Sequence, residues 1–124
     1  MKNFISFEGI DGCGKSTQIS LVSKYLNEKK ISNTIIREPG NTKVSEALRK
    51  ILLDKKNIIS SNTETLLFLA ARSQLVNEII LPKIKKNDFV LCDRYLDSTA
   101  AYQGYGYDLN LEQINNMNIF ATGN

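Results

Sequence analysis

No stretch of this sequence approaches the ~18–20 consecutive apolar residues of a membrane-spanning helix, and its apolar start, Phe4 to Phe7, is too short for a secretory signal. Cysteine is scarce. Cys13 and Cys92 lie far apart, in neither a metal-binding spacing nor a disulfide framework, which fits a reducing cytosol. Charge of one sign is also lacking: 16 Lys and Arg against 13 Asp and Glu leave a formal +3. No basic run is long enough to suggest a nucleic-acid or membrane partner, although a mild positive balance suits a small anionic substrate. Internal repeats, low-complexity tracts and linkers are absent. What remains is 124 residues, 42% of them apolar, the size and composition of one small globular domain. The expectation is a soluble, cytoplasmic protein.

The elements alternate. Phe4 to Phe7 reads as a buried strand ending at a glycine-rich loop. Ile19, Val22 and Leu26 recur at helical spacing and place a helix over residues 15–29. Asn33 to Arg37 reads as a second strand, stopped by Pro39-Gly40. Val44, Ala47, Leu48, Ile51 and Leu52 follow a helical pattern with Thr42 as its N-cap. Ser61-x-x-Glu64 has the form of a capping box before a long periodic segment reaching about residue 86, where Pro82 should kink or thin the last turns. Phe89 to Cys92 is a third buried strand ending at Asp93, and short helical pieces are expected over residues 97–103 and 110–120. Strands alternating with helices give an α/β fold with a parallel sheet.

Between the first strand and first helix stands Gly9-Ile10-Asp11-Gly12-Cys13-Gly14-Lys15-Ser16, a Gly-x4-Gly-Lys-Ser phosphate-binding P-loop. Its glycines let backbone N–H groups turn inward onto phosphate oxygens, Lys15 reaches the β- and γ-phosphates, and Ser16 offers a hydroxyl to Mg²⁺. Chance gives such a pattern in roughly one chain of this length in a few hundred. The strand before it and the helix after it supply the context that the mechanism requires, so the site holds nucleotide phosphates. Phe89 to Asp93 adds a strand of Walker B form, whose Asp93 can hold Mg²⁺ opposite Ser16; the ordinary alternative is a helix cap.

Phe68, Arg72, Leu75 and Ile79 fall on one narrow stripe of the long helix, which sets Arg72 within an apolar face. A buried guanidinium must be paired. It is either a snorkelling or internally salt-bridged arginine, or part of a pocket in which Phe68 gives an aromatic face and Arg72 donates to a planar polar ligand. Arg94 directly follows a strand end, the place for a phosphate clamp, with a surface arginine as the alternative. Tyr105 and Tyr107 receive no role.

Four segments together resemble the thymidylate kinase (dTMP kinase) family: Phe7 through Thr17; Arg37-Glu38-Pro39-Gly40; Leu66 through Arg72; and Asp93-Arg94-Tyr95 through Gln103-Gly104. Their order and spacing match along nearly the whole chain. The resemblance implies a P-loop nucleoside monophosphate kinase domain over residues 1–124, with the first three strands of its sheet present. It also implies transfer of the ATP γ-phosphoryl group to dTMP with Mg²⁺, giving dTDP for dTTP biosynthesis. Gly9 through Thr17 would bind ATP, and Ser16 and Asp93 the metal. Asp11 resembles the carboxylate that contacts the sugar 3′-hydroxyl, Phe68 the ring that stacks on thymine, and Arg72 the donor to its carbonyl edge. Arg94 would grip the dTMP phosphate, Pro39 sits in the loop over the monophosphate, Thr99 and Gln103 lie near the base, and Tyr102 closes the sugar side. Members of the family dimerise through helices, here expected to include the long helix.

Two departures bear on these expectations. Asn41-Thr42 stands where bacterial relatives usually carry a second glycine, a change expected to be tolerated beside a turn. Members of the family are also longer, so the chain is expected to lack the last strands and the lid, leaving Phe4 to Phe7 as an open apolar edge. Gly12 occupies the position where some relatives place a P-loop arginine, so the resemblance is to the bacterial branch, in which the lid supplies it. Loss of such an arginine costs a factor of about 10³ or more, so weak turnover is expected. The rival readings are another P-loop deoxynucleoside or monophosphate kinase, and a non-catalytic nucleotide-binding fragment. No Asn-Lys-x-Asp sequence is present, which disfavours a GTPase.

Overall fold

The computed structural model describes residues 2–99, 101 and 110–123, without the side chains of Asp97 and Thr99. Of the expected base-site residues, Tyr102, Gln103 and the Thr99 side chain therefore lie outside the described residues. The elements run β1 (Phe4–Phe7), α1 (Lys15–Glu28), β2 (Asn33–Arg37), α2 (Lys43–Leu53), α3 (Ser61–Leu75), a π-helical turn (Val76–Ile80), α4 (Leu81–Lys85), β3 (Phe89–Asp93), α5 (Leu96–Thr99) and α6 (Leu111–Thr122).

The three strands form one parallel sheet in the order β1-β3-β2. Central β3 is the most continuously apolar, as a strand covered on both faces must be, and Val90, Leu91 and Cys92 are fully buried. On one face Val90 and Cys92 pack with Ile36, Leu75, Val76, Ile80 and Tyr95. On the other, Leu91 packs under Ile19 and Leu26 of α1. β1 lies at an edge of the described sheet, with Ile5 37% exposed.

Register fixes the site. Phe7 and Arg37 both pair with Asp93, so all three strands end together. Beyond that line the Arg94 amide donates to the Phe7 carbonyl and the Glu38 amide to the Asp93 carbonyl, at 3.0 Å each. Groups following each strand are thereby gathered at one carboxyl edge, where parallel α/β sheets bind ligands.

The helices depart from expectation at three points. Ser60, not Ser61, caps α3: its hydroxyl accepts from the Thr63 amide, while Ser61 is the first helical residue and Glu64 lies in the favourable first turn. Before Pro82 the long helix widens rather than kinks or thins, and the Leu81 amide reaches the Val76 carbonyl five residues back. Proline lacks an N–H and crowds the carbonyl four residues earlier, and a π turn relieves both. Thr42 caps α2 as expected, but Val44 and Ile51 of its apolar stripe are 48% and 44% exposed. The inward side instead carries Ser45, buried and donating to the Ala71 carbonyl at 2.7 Å.

Candidate active site

The phosphate loop is built by backbone conformation. Gly9 holds φ 147°, and a Cβ there would stand 2.7 Å from the Cys13 sulfur. Gly14 takes φ 94° as the residue before α1. No side chain caps α1 and its first turn carries no acidic residue, so its leading amides and positive dipole end face an incoming anion. Lys15 Nζ donates to the carbonyls of Gly9 and Ile10 at 3.0 Å each, folded across its own loop where anionic phosphate oxygens could take over. Ile10, Gly12, Cys13, Ser16 and Thr17 are exposed along this cradle.

Arg94 crosses to it. Its Nη2 donates to Asp11 Oδ1 at 2.6 Å, joining the strand-end arginine to the P-loop carboxylate. Asp11 is fully exposed and Arg94 19% exposed, so the contact is solvent-screened at one end and open to a ligand. Arg94 has φ 72°, a left-handed backbone that costs a non-glycine residue about 1–2 kcal/mol. Its amide is held by Phe7 and its carbonyl accepts from the Cys92 thiol at 3.0 Å.

Beside it, Asp93 Oδ1 is buried and accepts no hydrogen bond among the described residues. An orphaned carboxylate oxygen is costly unless something fills it. A carboxylate oxygen such as this, like the Ser16 hydroxyl at the head of α1, is a donor of the kind a hard divalent cation takes. No cluster of three or more Asp, Glu, His or Cys groups occurs among the described residues.

Arg72 has an internal partner. It is 2% exposed on α3 and its Nε donates to both Glu38 oxygens, at 3.0 and 2.8 Å. Nη2 donates to Glu38 and to the Tyr95 carbonyl, and Nη1 to Asn118 Oδ1 at 2.6 Å. The Tyr95 ring lies 5.1 Å from the guanidinium carbon, within cation–π range. Burial pushes the Glu38 carboxyl above its ordinary value, while the Arg72 charge and hydrogen bonds pull it down. The internal salt bridge that sequence left open is thus formed, with Phe68 half-buried one turn away.

Pro39 and Gly40 are buried beneath a loop organised by Glu46. The Glu46 carboxylate accepts from the Asn41 amide at 2.7 Å and from Arg37, and these contacts hold it below its usual range. Asn41 takes φ 70° and its Oδ1 accepts from the Arg37 amide at 2.7 Å. Asparagine tolerates this left-handed conformation better than most residues.

The thymidylate kinase family model matches residues 7–123. The chain belongs to the thymidylate kinase family. It is 50% identical over 120 residues to a thymidylate kinase of Kosmotoga olearia, covering 97% of this chain and 58% of that protein. A thymidylate kinase of Thermoanaerobacter sp. is 52% identical over 119 residues, covering 96% and 59%. The chain thus spans a little under three-fifths of these relatives' length. The crystal structure of thymidylate kinase from Ehrlichia chaffeensis superposes with a TM-score of 0.86 at 39% identity, covering 95% of this chain and 67% of that one. The α/β P-loop fold follows directly. No helix among the described residues is long and apolar enough to cross a membrane.

Glu8, Glu38 and Asn118 also hold site elements. Glu8 and Glu38 stand within the motif segments but received no role from sequence, and Asn118 lies outside them. The signal for Glu38 and Glu8 was an acidic residue directly after an apolar strand; for Asn118 there was none.

Proposed function

We propose that this thymidylate kinase family chain carries the phosphate-binding and acceptor-binding parts of an enzyme that transfers the ATP γ-phosphoryl group to dTMP, in the cytoplasm. The observation that carries the reading is the convergence at one sheet edge of the P-loop, the Asp11–Arg94 pair and the buried Arg72. Lys15 and the amides of Gly9 through Thr17 receive the ATP phosphates. Ser16 and Asp93 hold Mg²⁺, which when bound neutralises charge on the transferring group. Arg94 grips the dTMP phosphate and Asp11 faces the sugar 3′-hydroxyl.

The base is read from the other side, where Phe68 stacks and Arg72 donates to a carbonyl. Arg72 is suited to this because Glu38, Tyr95 and Asn118 engage its Nε, both Nη2 protons and one Nη1 proton. Among the described residues this leaves one Nη1 N–H for a ligand. Pro39, Thr99, Tyr102 and Gln103 complete the acceptor site in this reading. Catalysis is then positioning and charge neutralisation, with no covalent intermediate.

Radiolabelled ATP offered with dTMP, dUMP or thymidine tests the assignment, alongside calorimetric binding of each. Tight dTMP binding with preference over thymidine is expected; phosphorylation of thymidine in preference to dTMP would refute it. A homodimer is part of the proposal, supported by exposed Val44 and Ile51 on α2 and by Leu66 on α3, which is 58% exposed. A monomer by light scattering at all concentrations would remove it.

A further inference from the structure

Glu8 is the first residue after β1 and takes no part in the phosphate cradle that follows it. Its carboxylate turns toward the segment after β3. Oε1 accepts from the Tyr95 amide at 2.7 Å, and Oε2 accepts from the Ser98 hydroxyl in α5. Arg94 directly precedes the segment these contacts hold. The amide before the clamp, that of Arg94 itself, is bound to the Phe7 carbonyl at 3.0 Å. Phe7, the last residue of β1, by backbone, and Glu8, the residue that follows it, by side chain, therefore bind consecutive amides of the Arg94–Tyr95 turn.

This turn needs holding, because Arg94 sits at φ 72° with its guanidinium directed to Asp11. An oxygen that accepts from the amide after a left-handed residue fixes the direction in which the chain leaves it. A carboxylate does so more firmly than a neutral oxygen, since charge-assisted hydrogen bonds are shorter and stronger. Its second oxygen simultaneously holds Ser98 within α5.

We infer that Glu8 is a positioning residue for Arg94: it couples the strand leading into the phosphate loop to the turn that aims the arginine at the acceptor phosphate. The inference deepens the proposed function and rests on Arg94 contacting the phosphate of the monophosphate. Its consequence is selective. Loss of Glu8 should weaken ligands that carry the 5′-phosphate and spare the same ligand without it.

Calorimetric titration of the chain with dTMP and with thymidine separates these cases, using Glu8→Ala, Glu8→Gln, Arg94→Ala and the double variant Glu8→Ala/Arg94→Ala. Glu8→Ala should raise the dTMP Kd at least about tenfold, the scale of one charge-assisted contact, with thymidine affinity within twofold of wild type. Glu8→Gln keeps an oxygen for the Tyr95 amide and should recover part of the loss. On the Arg94→Ala background, Glu8→Ala should add less than about threefold. Equal loss of dTMP and thymidine binding in Glu8→Ala would overturn the inference in favour of a general structural role. Unchanged dTMP binding in Glu8→Ala with a full effect of Arg94→Ala would overturn it while leaving the phosphate clamp standing. An Arg94→Ala variant with unaltered dTMP binding would overturn both.

Discussion

Breaking the Glu38–Arg72 pair should be the most damaging single polar change available in this chain. The two side chains are 5% and 2% exposed, so neither charge can be rescued by solvent after its partner is removed. Removing one member of such a pair costs about 3–5 kcal/mol. Against a total stability of about 5–15 kcal/mol for a domain, Glu38→Ala should take about a fifth or more. At about 3–6 °C per kcal/mol for this size, the melting temperature falls by roughly 9–30 °C. Arg72→Met should cost a similar amount, since it also leaves Asn118 Oδ1 and the Tyr95 carbonyl without their donor. The double variant Glu38→Ala/Arg72→Met carries no buried charge and should be at least about 2 kcal/mol more stable than the sum of the singles implies.

A pH series adds an independent check. In Arg72→Met both influences that lower the Glu38 carboxyl disappear, while burial and the nearby Glu8 charge remain and raise it further above the ordinary carboxyl value. A carboxyl raised in the folded state binds its proton more tightly there than in the unfolded chain. Stability is then largest below the unfolded value and declines as pH rises through the folded one. Arg72→Met should therefore lose stability relative to wild type as pH rises above 4.5. Urea melts followed by circular dichroism measure all of this. Additive single and double variants, or a Glu38→Ala loss under 1 kcal/mol, would refute the reasoning.

Other sites give sharper local tests. Cys92 is fully buried and burial pushes its thiol up, whereas Cys13 is exposed in the P-loop. One of the two thiols should react quickly with a disulfide reagent, and ATP should slow that reaction; two fast thiols would contradict the burial. A Cβ at Gly40 would stand 2.6 Å from Glu46 Oε1, so Gly40→Ala should expel Glu46 and cost about 1–3 kcal/mol by denaturant melts. The Tyr95 hydroxyl is buried without a partner among the described residues, so Tyr95→Phe should be neutral or stabilising by up to about 1 kcal/mol; a clear loss would mean the hydroxyl is satisfied.

Much of the fold was legible because it rests on local rules. Period, length and breakers place β2 at Asn33–Arg37 and β3 at Phe89–Asp93 without tertiary information. The misreadings are also local. Ser60 and Ser61 offer the same hydroxyl to neighbouring amides, and only backbone geometry chooses Ser60 as the cap. Pro82 announces a missing N–H but not whether the helix will end, kink or widen. In the site, the P-loop was legible because its chemistry needs fixed residues at fixed spacing. Arg72 was legible as an anomaly, yet its partners were not. Glu38 and Asn118 lie 34 and 46 residues from it, and no periodicity links them.

The ends of the three strands show why those hidden residues matter. β1 and β2 are each followed at once by a glutamate and β3 ends in an aspartate, so Glu8, Glu38 and Asp93 stand at one edge of the sheet. Sequence cannot rank three carboxylates so similarly placed, but their hydrogen bonds can. Both Glu8 oxygens accept from the Tyr95–Ser98 segment, and both Glu38 oxygens accept from Arg72. These two act within the protein, one aiming Arg94 and the other fixing Arg72. Asp93 alone keeps a buried oxygen without a partner among the described residues. It is therefore the one of the three with capacity left for a cation. Swapping the roles is chemically expensive: Asp93→Asn should abolish Mg²⁺-dependent nucleotide binding with little effect on melting temperature, whereas Glu38→Gln should lower the melting temperature. If Asp93→Asn proved the more destabilising of the two, the ranking by satisfied oxygens would be wrong.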